Sequence, residues 1–230
     1  MVGVALLVGG YGEKGGAKGK PVNEESTKQK PIREVSTGEL EKREEIWHLK
    51  GETEPITGTV IRYREDGSKY AETPYVNGKI HGTWIRYFED GSKRKETPYV
   101  DDKEHGTAIG YYENGSKHWE GQYVDGKMHG KEISYREDGS KSSEIPYVDD
   151  KRHGTRILYH EDGSKFLETP FVDGKRHGTM ITYREDGSKA SETPYVDDKV
   201  HGTSITYRED GSKWVERIFE NGEEISRKTF

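Results

Sequence analysis

The stretch that decides the fold is HGTWIRYFEDGSKRKETPYVDDKE, residues 81–104. Its form, HGT-x-I-x-Y-x-E-D-G-S-K-x-x-E-T-P-Y-V-D-G/D-K-x, recurs every 24 residues, so that seven units fill residues 58–222. A fixed period of about 20–50 residues is the signature of a stacked-repeat architecture. The His-Gly signature of the units consists of His81, Gly82, His105, Gly106, His129, Gly130, His153, Gly154, His177, Gly178, His201 and Gly202.

Within a unit, the residue types alternate with a period of two. In residues 83–88 (TWIRYF), Thr, Ile and Tyr alternate with Trp, Arg and Phe, which is typical of a half-buried strand. EDGS then predicts a tight turn, and ETPYV a second strand that leads to a turn at NGK, DGK or DDK. We therefore predict an all-β fold: an elongated, solenoid-like twisted sheet of seven tandem β-hairpins, with a flexible N-terminal arm.

Tyrosines mark the register of the repeat. Together with a recurrent Ile, they are expected to form rows of like side chains along one face, as the structural ladder of the sheet. One hairpin buries too few side chains to offset the entropy of ordering it, so the stacking of units must stabilise the chain. The ladder residues are Tyr63, Tyr87, Tyr111, Tyr135, Tyr159, Tyr183 and Tyr207 in the first strands, and Tyr75, Tyr99, Tyr123, Tyr147, Phe171 and Tyr195 in the second.

The second strands also carry a regular proline, which cannot donate to a neighbouring strand. That position must be a bulge or must lack a neighbour on its N–H side. Outside the repeats we predict an apolar arm or signal-like segment at 1–10 and a polar linker at 11–45, with a short helix possible at GELEKREE. A capping strand is expected at 46–57 and a C-terminal cap at 223–230.

Composition limits the function classes. The chain has a net charge of −6 with interleaved signs and no basic stripe, so we expect no nucleic-acid partner. Cysteine is absent, which excludes disulfides and a cysteine nucleophile. The start, MVGVALLV, fits a signal-peptide core, a β-prone arm or a disordered end. An extracytoplasmic or cell-surface location is therefore weakly favoured.

The block GKIHGTWIRYFEDGSK (78–93) resembles the MORN repeat, in the bacterial variant whose units look like GxWxxYYxNGxKxxExxYxNGKxxG. YYENG (111–115) and YVDGK (123–127) match it well, and KGETEPITGT (50–59) is similar to the lead-in of this group. The resemblance implies a repeat scaffold. Similar proteins serve in membrane-associated assemblies or beside lipid-kinase domains, and some bacterial ones carry an antitoxin label. This chain departs from the pattern in its Thr after His-Gly and its regular Thr-Pro.

Two repeated groups of side chains, the histidines and the Glu-Asp pairs, suggest metal binding or catalysis. A role in turns explains both groups better. The histidines recur once per hairpin, a step of about 9–10 Å that is too wide for two of them to share a zinc ion. Identical Glu-Asp pairs before each turn Gly offer one environment, whereas an acid/base pair needs two. They also lack the spacing of a calcium loop. We expect no catalytic residues, no metal and no cofactor, and so no enzyme.

The positions that vary between units matter more. Aromatic pairs follow the turn Lys in alternate units, which fits either duplication of a 48-residue pair or an apolar row for docking. We expect a non-enzymatic scaffold that binds a protein or another copy of the chain, including head-to-tail oligomers or filaments. The alternatives are an antitoxin-like inhibitor or, less favoured, a peripheral membrane scaffold; no small-molecule substrate is expected. The candidate interaction surface consists of Tyr70, Trp84, Trp119, Phe166, Leu167, Met180 and Trp214.

Overall fold

The computed structural model describes residues 37–230. Within this range there is one 3-10 turn, Thr37–Glu39, and no α-helix. The strands are β1 (Leu40–Arg43), β2 (Ile46–Leu49), β3 (Gly58–Tyr63), β4 (Lys69–Val76), β5 (Lys79–Ile80), β6 (Gly82–Tyr87), β7 (Lys93–Val100), β8 (Lys103–Glu104), β9 (Gly106–Tyr111), β10 (Lys117–Val124), β11 (Lys127–Tyr135), β12 (Lys141–Val148), β13 (Lys151–Arg152), β14 (Gly154–Tyr159), β15 (Lys165–Val172), β16 (Lys175–Arg176), β17 (Gly178–Tyr183), β18 (Lys189–Val196), β19 (Lys199–Val200), β20 (Gly202–Tyr207), β21 (Lys213–Glu220) and β22 (Glu223–Thr229).

From β3 to β22 the strands form one antiparallel sheet in which each long strand pairs with the long strands before and after it. The two-residue strands β5, β8, β13, β16 and β19 each pair only with the strand that precedes them. Each unit contributes a hairpin, and the second strand of the hairpin pairs with the first strand of the next unit. β3 pairs only with β4, and β22 only with β21. The predicted elongated sheet of tandem β-hairpins is confirmed, and it is not closed on itself.

The register divides the side chains between two faces. In the hairpin β6–β7, Ile85 lies opposite Glu96, and Trp84 lies opposite Thr97. Because successive side chains in a strand point to opposite faces, Ile85 and Glu96 share one face. We call this the tyrosine–glutamate face; in each unit it carries the residues equivalent to Ile85, Tyr87 and Glu96. We call the other the variable face; it carries the equivalents of Trp84, Arg86, Lys95, Thr97 and Tyr99.

The proline of the second strand interrupts pairing on one side only. Pro98 lies opposite Thr83 of its own hairpin, and its carbonyl accepts a hydrogen bond from the His105 N–H at 2.9 Å. The next strand is broken into β8 and β9 at this histidine. Where Gln122 replaces proline, the next strand, β11, runs unbroken over Lys127–Tyr135, although its register still shifts there. The proline therefore sets the regular break, as its missing N–H requires.

Two predictions about the arrangement are wrong. The two tyrosine rows do not share a face: Tyr87 lies on the tyrosine–glutamate face, whereas Tyr99 pairs with Gly82 on the variable face. The segment predicted as a linker to residue 45 with a short helix instead contains β1, which pairs with β2 as a hairpin. Its turn places Glu44 and Glu45 at φ 46° and 66°.

This N-terminal hairpin covers the first unit. Leu40 (8% exposed) and Ile56 (6%) pack with Val60 (0%) and Tyr75 (3%), and Trp47 and Leu49 lie against the same cluster. The Trp47 N–H donates to the Gly78 carbonyl at 3.0 Å, which ties the hairpin to the second turn of the first unit. Val60 and Tyr75 belong to the variable face, so this hairpin shows that the face accepts a packed apolar cover.

The two ends differ. The C-terminal strand β22 is exposed along its length, and Ile225 is 60% exposed. The apolar arm at 1–10 and residues 11–36 of the predicted linker lie outside the described residues. Among residues 37–230, no helix is long and apolar enough to cross a membrane.

Candidate interaction surface on the variable face

The tyrosine–glutamate face carries a network that repeats from unit to unit. Tyr135 donates its hydroxyl hydrogen to Glu120 of the preceding unit at 2.8 Å, and Lys117 donates to the same carboxylate at 2.8 Å. The same contact between a Tyr and the Glu 15 residues before it is made by Tyr111, Tyr183 and Tyr207. These glutamates have side chains about one-fifth exposed, so each carboxylate is held between a lysine and a tyrosine.

The protonation states follow from this packing. Burial, and then the hydrogen bond to Glu120, raises the pKa of the Tyr135 hydroxyl to about 12. The hydrogen bond from Lys117 holds the pKa of Glu120 below its usual value, and burial opposes it only in part. The tyrosines therefore stay neutral donors and the glutamates stay charged acceptors at neutral pH. Sequence reasoning missed these glutamates, although their strict 24-residue recurrence was the available signal.

The signature histidines lie at the second turns. Nδ1 of His81 is 3.3 Å from a carboxylate oxygen of Asp101 in the next second turn. The equivalent distance is 3.5 Å for His105, His129, His153 and His177. His201 instead lies 3.3 Å from the backbone N–H of Asn221. Each ring thus contacts the second turn that follows it by 20 residues in the chain, and no group of three or more metal-ligating side chains forms within residues 37–230.

The acidic side chain of each first turn accepts hydrogen bonds within that turn. Asp66 accepts the backbone N–H of Ser68 at 2.8 Å and its hydroxyl at 2.7 Å. These hydrogen bonds from Ser68 lower the pKa of Asp66. Asp90, Asp138, Asp162, Asp186 and Asp210 accept the equivalent backbone hydrogen bond, and Asn114 does so in the third unit. This geometry closes a turn around a Gly at positive φ.

Where the second turn reads Asp-Asp, its second carboxylate bridges two units. Asp102 adopts φ 68°, and its side chain accepts the backbone N–H of Ile80 at 2.7 Å. Asp150 and Asp198 make the same contact with Met128 and Arg176. A left-handed conformation is unfavourable for a residue with a side chain, and this hydrogen bond offsets part of its cost. The alternating Asp-Gly or Asn-Gly turns use a glycine there instead.

The candidate interaction residues occupy two zones. Trp84 and Met180 lie in the middle of the variable face, opposite Thr97 and Thr193. Trp119 and Leu167 lie nearer the first turns on the same face, opposite Gly110 and Leu158. All four are partly exposed.

The other three candidates are bulge residues at the first-turn edge. Tyr70, Phe166 and Trp214 each fall at a register shift after the turn lysine. Phe166 is 40% exposed and meets His160 with ring centroids 5.0 Å apart, and Tyr70 lies under the Arg64 guanidinium at 5.3 Å. Trp214 is 51% exposed beside the C-terminal residue. The predicted single apolar row is therefore split between a face and an edge.

Cations that sequence reasoning did not select lie among these aromatic residues. The Arg86 guanidinium lies 4.8 Å from the Tyr70 ring and 5.8 Å from the Trp84 ring. The Lys95 ammonium lies 5.9 Å from the ring of Trp84 and 5.4 Å from that of Trp119. A cleft of about 240 Å³ opens here, lined by Arg86, Arg94, Lys95, Gly110, Tyr111, His118 and Trp119.

The repeats have a known sequence family. A model of the MORN repeat variant matches residues 80–101, 128–149 and 176–197, each starting one residue before a His-Gly pair. These three units are MORN repeats of the variant type. The matches start 48 residues apart, which is two 24-residue units, and each ends on the first Asp of an Asp-Asp turn. No curated protein matches the chain in sequence.

MORN repeats are in general non-enzymatic modules of scaffolds that bind proteins or membranes. The units that the model does not match form the same kind of two-stranded hairpin as the matched ones. The predicted resemblance to the MORN repeat variant is confirmed for the three matched units.

Proposed function

We propose that this MORN-repeat chain is a non-enzymatic scaffold that holds a partner protein against its variable face. The supporting observation is the difference between the two faces. The tyrosine–glutamate face repeats the same side chains in nearly every unit, as stacking against identical neighbours requires. On the variable face, the position of Trp84 becomes Ala108, Glu132, Arg156, Met180 and Ser204. Stacking does not require any one of these residues, so they are free to serve a partner.

The side chains at these positions suit a protein interface. Tryptophan, tyrosine, methionine and arginine are enriched in protein interfaces. Tryptophan, tyrosine and arginine are also enriched among the few residues that carry most of the binding energy. Trp84, Trp119 and Met180 are partly exposed on the variable face. The N-terminal hairpin already packs Leu40 and Trp47 against the first unit of this face. A partner would extend the same kind of cover to later units.

The non-enzymatic part of the proposal rests on where the titratable groups lie. The carboxylates and hydroxyls of the tyrosine–glutamate face form one network that recurs between units, and those of the first turns close turns. Acid–base catalysis needs two groups whose environments separate their pKa values. Here the shifted groups, such as Tyr135 and Glu120, hydrogen-bond to each other, and the same contact recurs in several units, as expected for a structural contact.

The test places a photo-crosslinking amino acid at single positions of the full chain in its native cells. Position 84 and position 180 lie on the variable face, and their neighbours, positions 83 and 179, lie on the opposite face. Each pair shares a strand and differs mainly in face, so the neighbour is a matched control. Adducts are separated by mass and identified by peptide sequencing.

We expect adducts to one partner protein from positions 84 and 180 and a much lower yield from positions 83 and 179. An adduct at twice the mass of the chain would identify a second copy as the partner. Equal yields from both faces, or protein adducts from positions 83 and 179 alone, would overturn the proposal. So would the absence of any protein adduct from position 84 or 180.

A further inference from the structure

We propose that the cleft at the second and third units binds an acidic peptide segment, through cations that the sheet leaves without a carboxylate. This inference rests on the proposed function, because it specifies the chemistry of the partner that meets the variable face. The cleft contains Arg86, Arg94, Lys95 and Trp119, and none of its lining residues is Asp or Glu. The rings of Tyr70 and Trp84 contact Arg86 beside the cleft.

These cations form no ion pair with a carboxylate within residues 37–230, although Arg94 also lines a neighbouring cleft with Glu113 and Glu137. On the tyrosine–glutamate face, every turn lysine has a glutamate three residues later, as Lys117 has Glu120 at 2.8 Å. Arg86, Arg94 and Lys95 have no acidic partner in the described part of the chain. The chain carries a net charge of −6, so this group of cations runs against its overall charge.

Aromatic rings hold two of these cations in place without neutralising them. Arg86 donates to the Tyr70 hydroxyl and lies over the rings of Tyr70 and Trp84, and Lys95 lies between Trp84 and Trp119. Cation–π contacts of this kind contribute about 0.5–1 kcal/mol at exposed sites. They restrain the side chains before a ligand arrives, which lowers the entropy cost of binding. Carboxylates then supply the missing opposite charge through charge-assisted hydrogen bonds.

The repeat itself shows that the fold does not need these residues. The position of Arg86 is Arg62 in the first unit and Gly110, Ser134, Leu158, Thr182 and Thr206 in later ones. The position of Lys95 is otherwise Ala71, Trp119, Ser143, Leu167, Ser191 and Val215. Units with neutral residues at both positions form the same strands. If stacking required these cations, every unit would carry them. Arg86 and Lys95 occur together only in the second unit.

Gly110 provides the floor of the cleft. A Cβ atom at this position would overlap the indole Nε1 and Cδ1 of Trp119. The glycine therefore lets the indole lie flat over the strand, next to the Lys95 ammonium. An extended acidic segment can then place its carboxylates on the cations and its aliphatic stems on the indole. Lysine and arginine side chains beside aromatic rings therefore match an acidic peptide better than an apolar one.

The experiment titrates the full chain into a fluorescein-labelled deca-glutamate peptide and follows fluorescence anisotropy at low salt. The test variant is R94Q/K95Q, which removes two charges from the cleft. The matched control is K103Q/K127Q, which removes two charges at the second-turn edge. Circular dichroism and thermal unfolding establish that both variants remain folded. A deca-lysine peptide and a heparin fragment are titrated in parallel.

We expect saturable binding of deca-glutamate that weakens by about tenfold or more in R94Q/K95Q and less than about twofold in K103Q/K127Q. Fluorescence of Trp84 and Trp119, observed in a W47F/W214F background, should change on binding. No saturable binding, equal weakening in both variants, or stronger binding of deca-lysine would overturn the inference. The inference would also be overturned if heparin bound through Arg94 and Lys95 and deca-glutamate did not bind. If crosslinking from position 84 still succeeds in those cases, the inference fails and the proposed function stands.

Discussion

The hydroxyl of Tyr135 allows a sharp test of how the units are held together. Tyr135→Phe keeps the ring and removes only the donor that lies 2.8 Å from Glu120. A hydrogen bond to a charged group contributes about 1.5–3 kcal/mol. Because the Glu120 side chain is 22% exposed and keeps Lys117 as a partner, water screens part of this contribution. We expect Tyr135→Phe to lower the free energy of unfolding by about 1–1.5 kcal/mol.

The chain supplies its own control. Tyr63 occupies the same repeat position in the first unit, where the residue 15 places earlier is His48 and no glutamate is present. Tyr63 is 50% exposed. Tyr63→Phe should therefore change the free energy of unfolding by less than about 0.5 kcal/mol, as other exposed substitutions do.

The assay is urea unfolding followed by circular dichroism and tryptophan fluorescence, which also tests whether unfolding is two-state. The effect should depend on pH. The folded pKa of Glu120 lies below its usual value, so its stabilising contribution is present above the unfolded pKa and is lost as the pH falls through the folded one. The difference between Tyr135→Phe and the native chain should shrink in acid. Equal effects of Tyr135→Phe and Tyr63→Phe at neutral pH would refute the reasoning.

Five further substitutions, in three tests, probe local features by thermal unfolding. The Thr97 hydroxyl is buried without a hydrogen-bond partner in the described residues, so Thr97→Val should stabilise by about 1 kcal/mol; Thr193→Val should not, because its hydroxyl lies 3.0 Å from that of Ser204. A Cβ at Gly78 would lie 2.8 Å from the Trp47 carbonyl oxygen, whereas one at Gly67 meets nothing within 4 Å. Both adopt positive φ, so Gly67→Ala should cost about 1 kcal/mol and Gly78→Ala clearly more; equal losses would argue against close packing of the N-terminal hairpin. Burial raises the pKa of Glu132, so its ionisation opposes folding as the pH rises above the unfolded pKa; Glu132→Gln should raise the Tm at neutral pH but not in acid, and a lower Tm at neutral pH would contradict this.

The strands, the turns and their 24-residue spacing could be predicted from the sequence, because each depends on local residues. The face on which Tyr99 lies could not be predicted in this way. A register shift between Arg86 and Tyr87 places an extra residue in the second strand. One residue of slip moves every following side chain to the other face. The alternation of side chains between the two faces is therefore interrupted between Tyr87 and Tyr99. Counting by two from Tyr87 places Tyr99 on the wrong face.

The N-terminal hairpin and the cation cluster show two other limits. GELEKREE has good helix formers, but Leu40 is buried against the first unit at 8% exposure, and tertiary packing overrides propensity. Arg86 and Lys95 were not selected because variable positions were judged by their apolar members. Their importance arises from neighbours on three strands, β4, β6 and β10, that carry Tyr70, Trp84 and Trp119. No local pattern brings these residues together.

We expect a protein partner to cover the variable face and to leave the opposite face open. The chain has no cysteine, so single variants Trp84→Cys and Thr83→Cys each carry one thiol on opposite faces of the same strand. The rate of maleimide labelling is measured for each in the purified chain and in intact cell extract. We predict that the extract slows labelling at position 84 several-fold and leaves the rate at position 83 unchanged. Equal rates in both settings at position 84, or slowing at position 83 alone, would contradict the account.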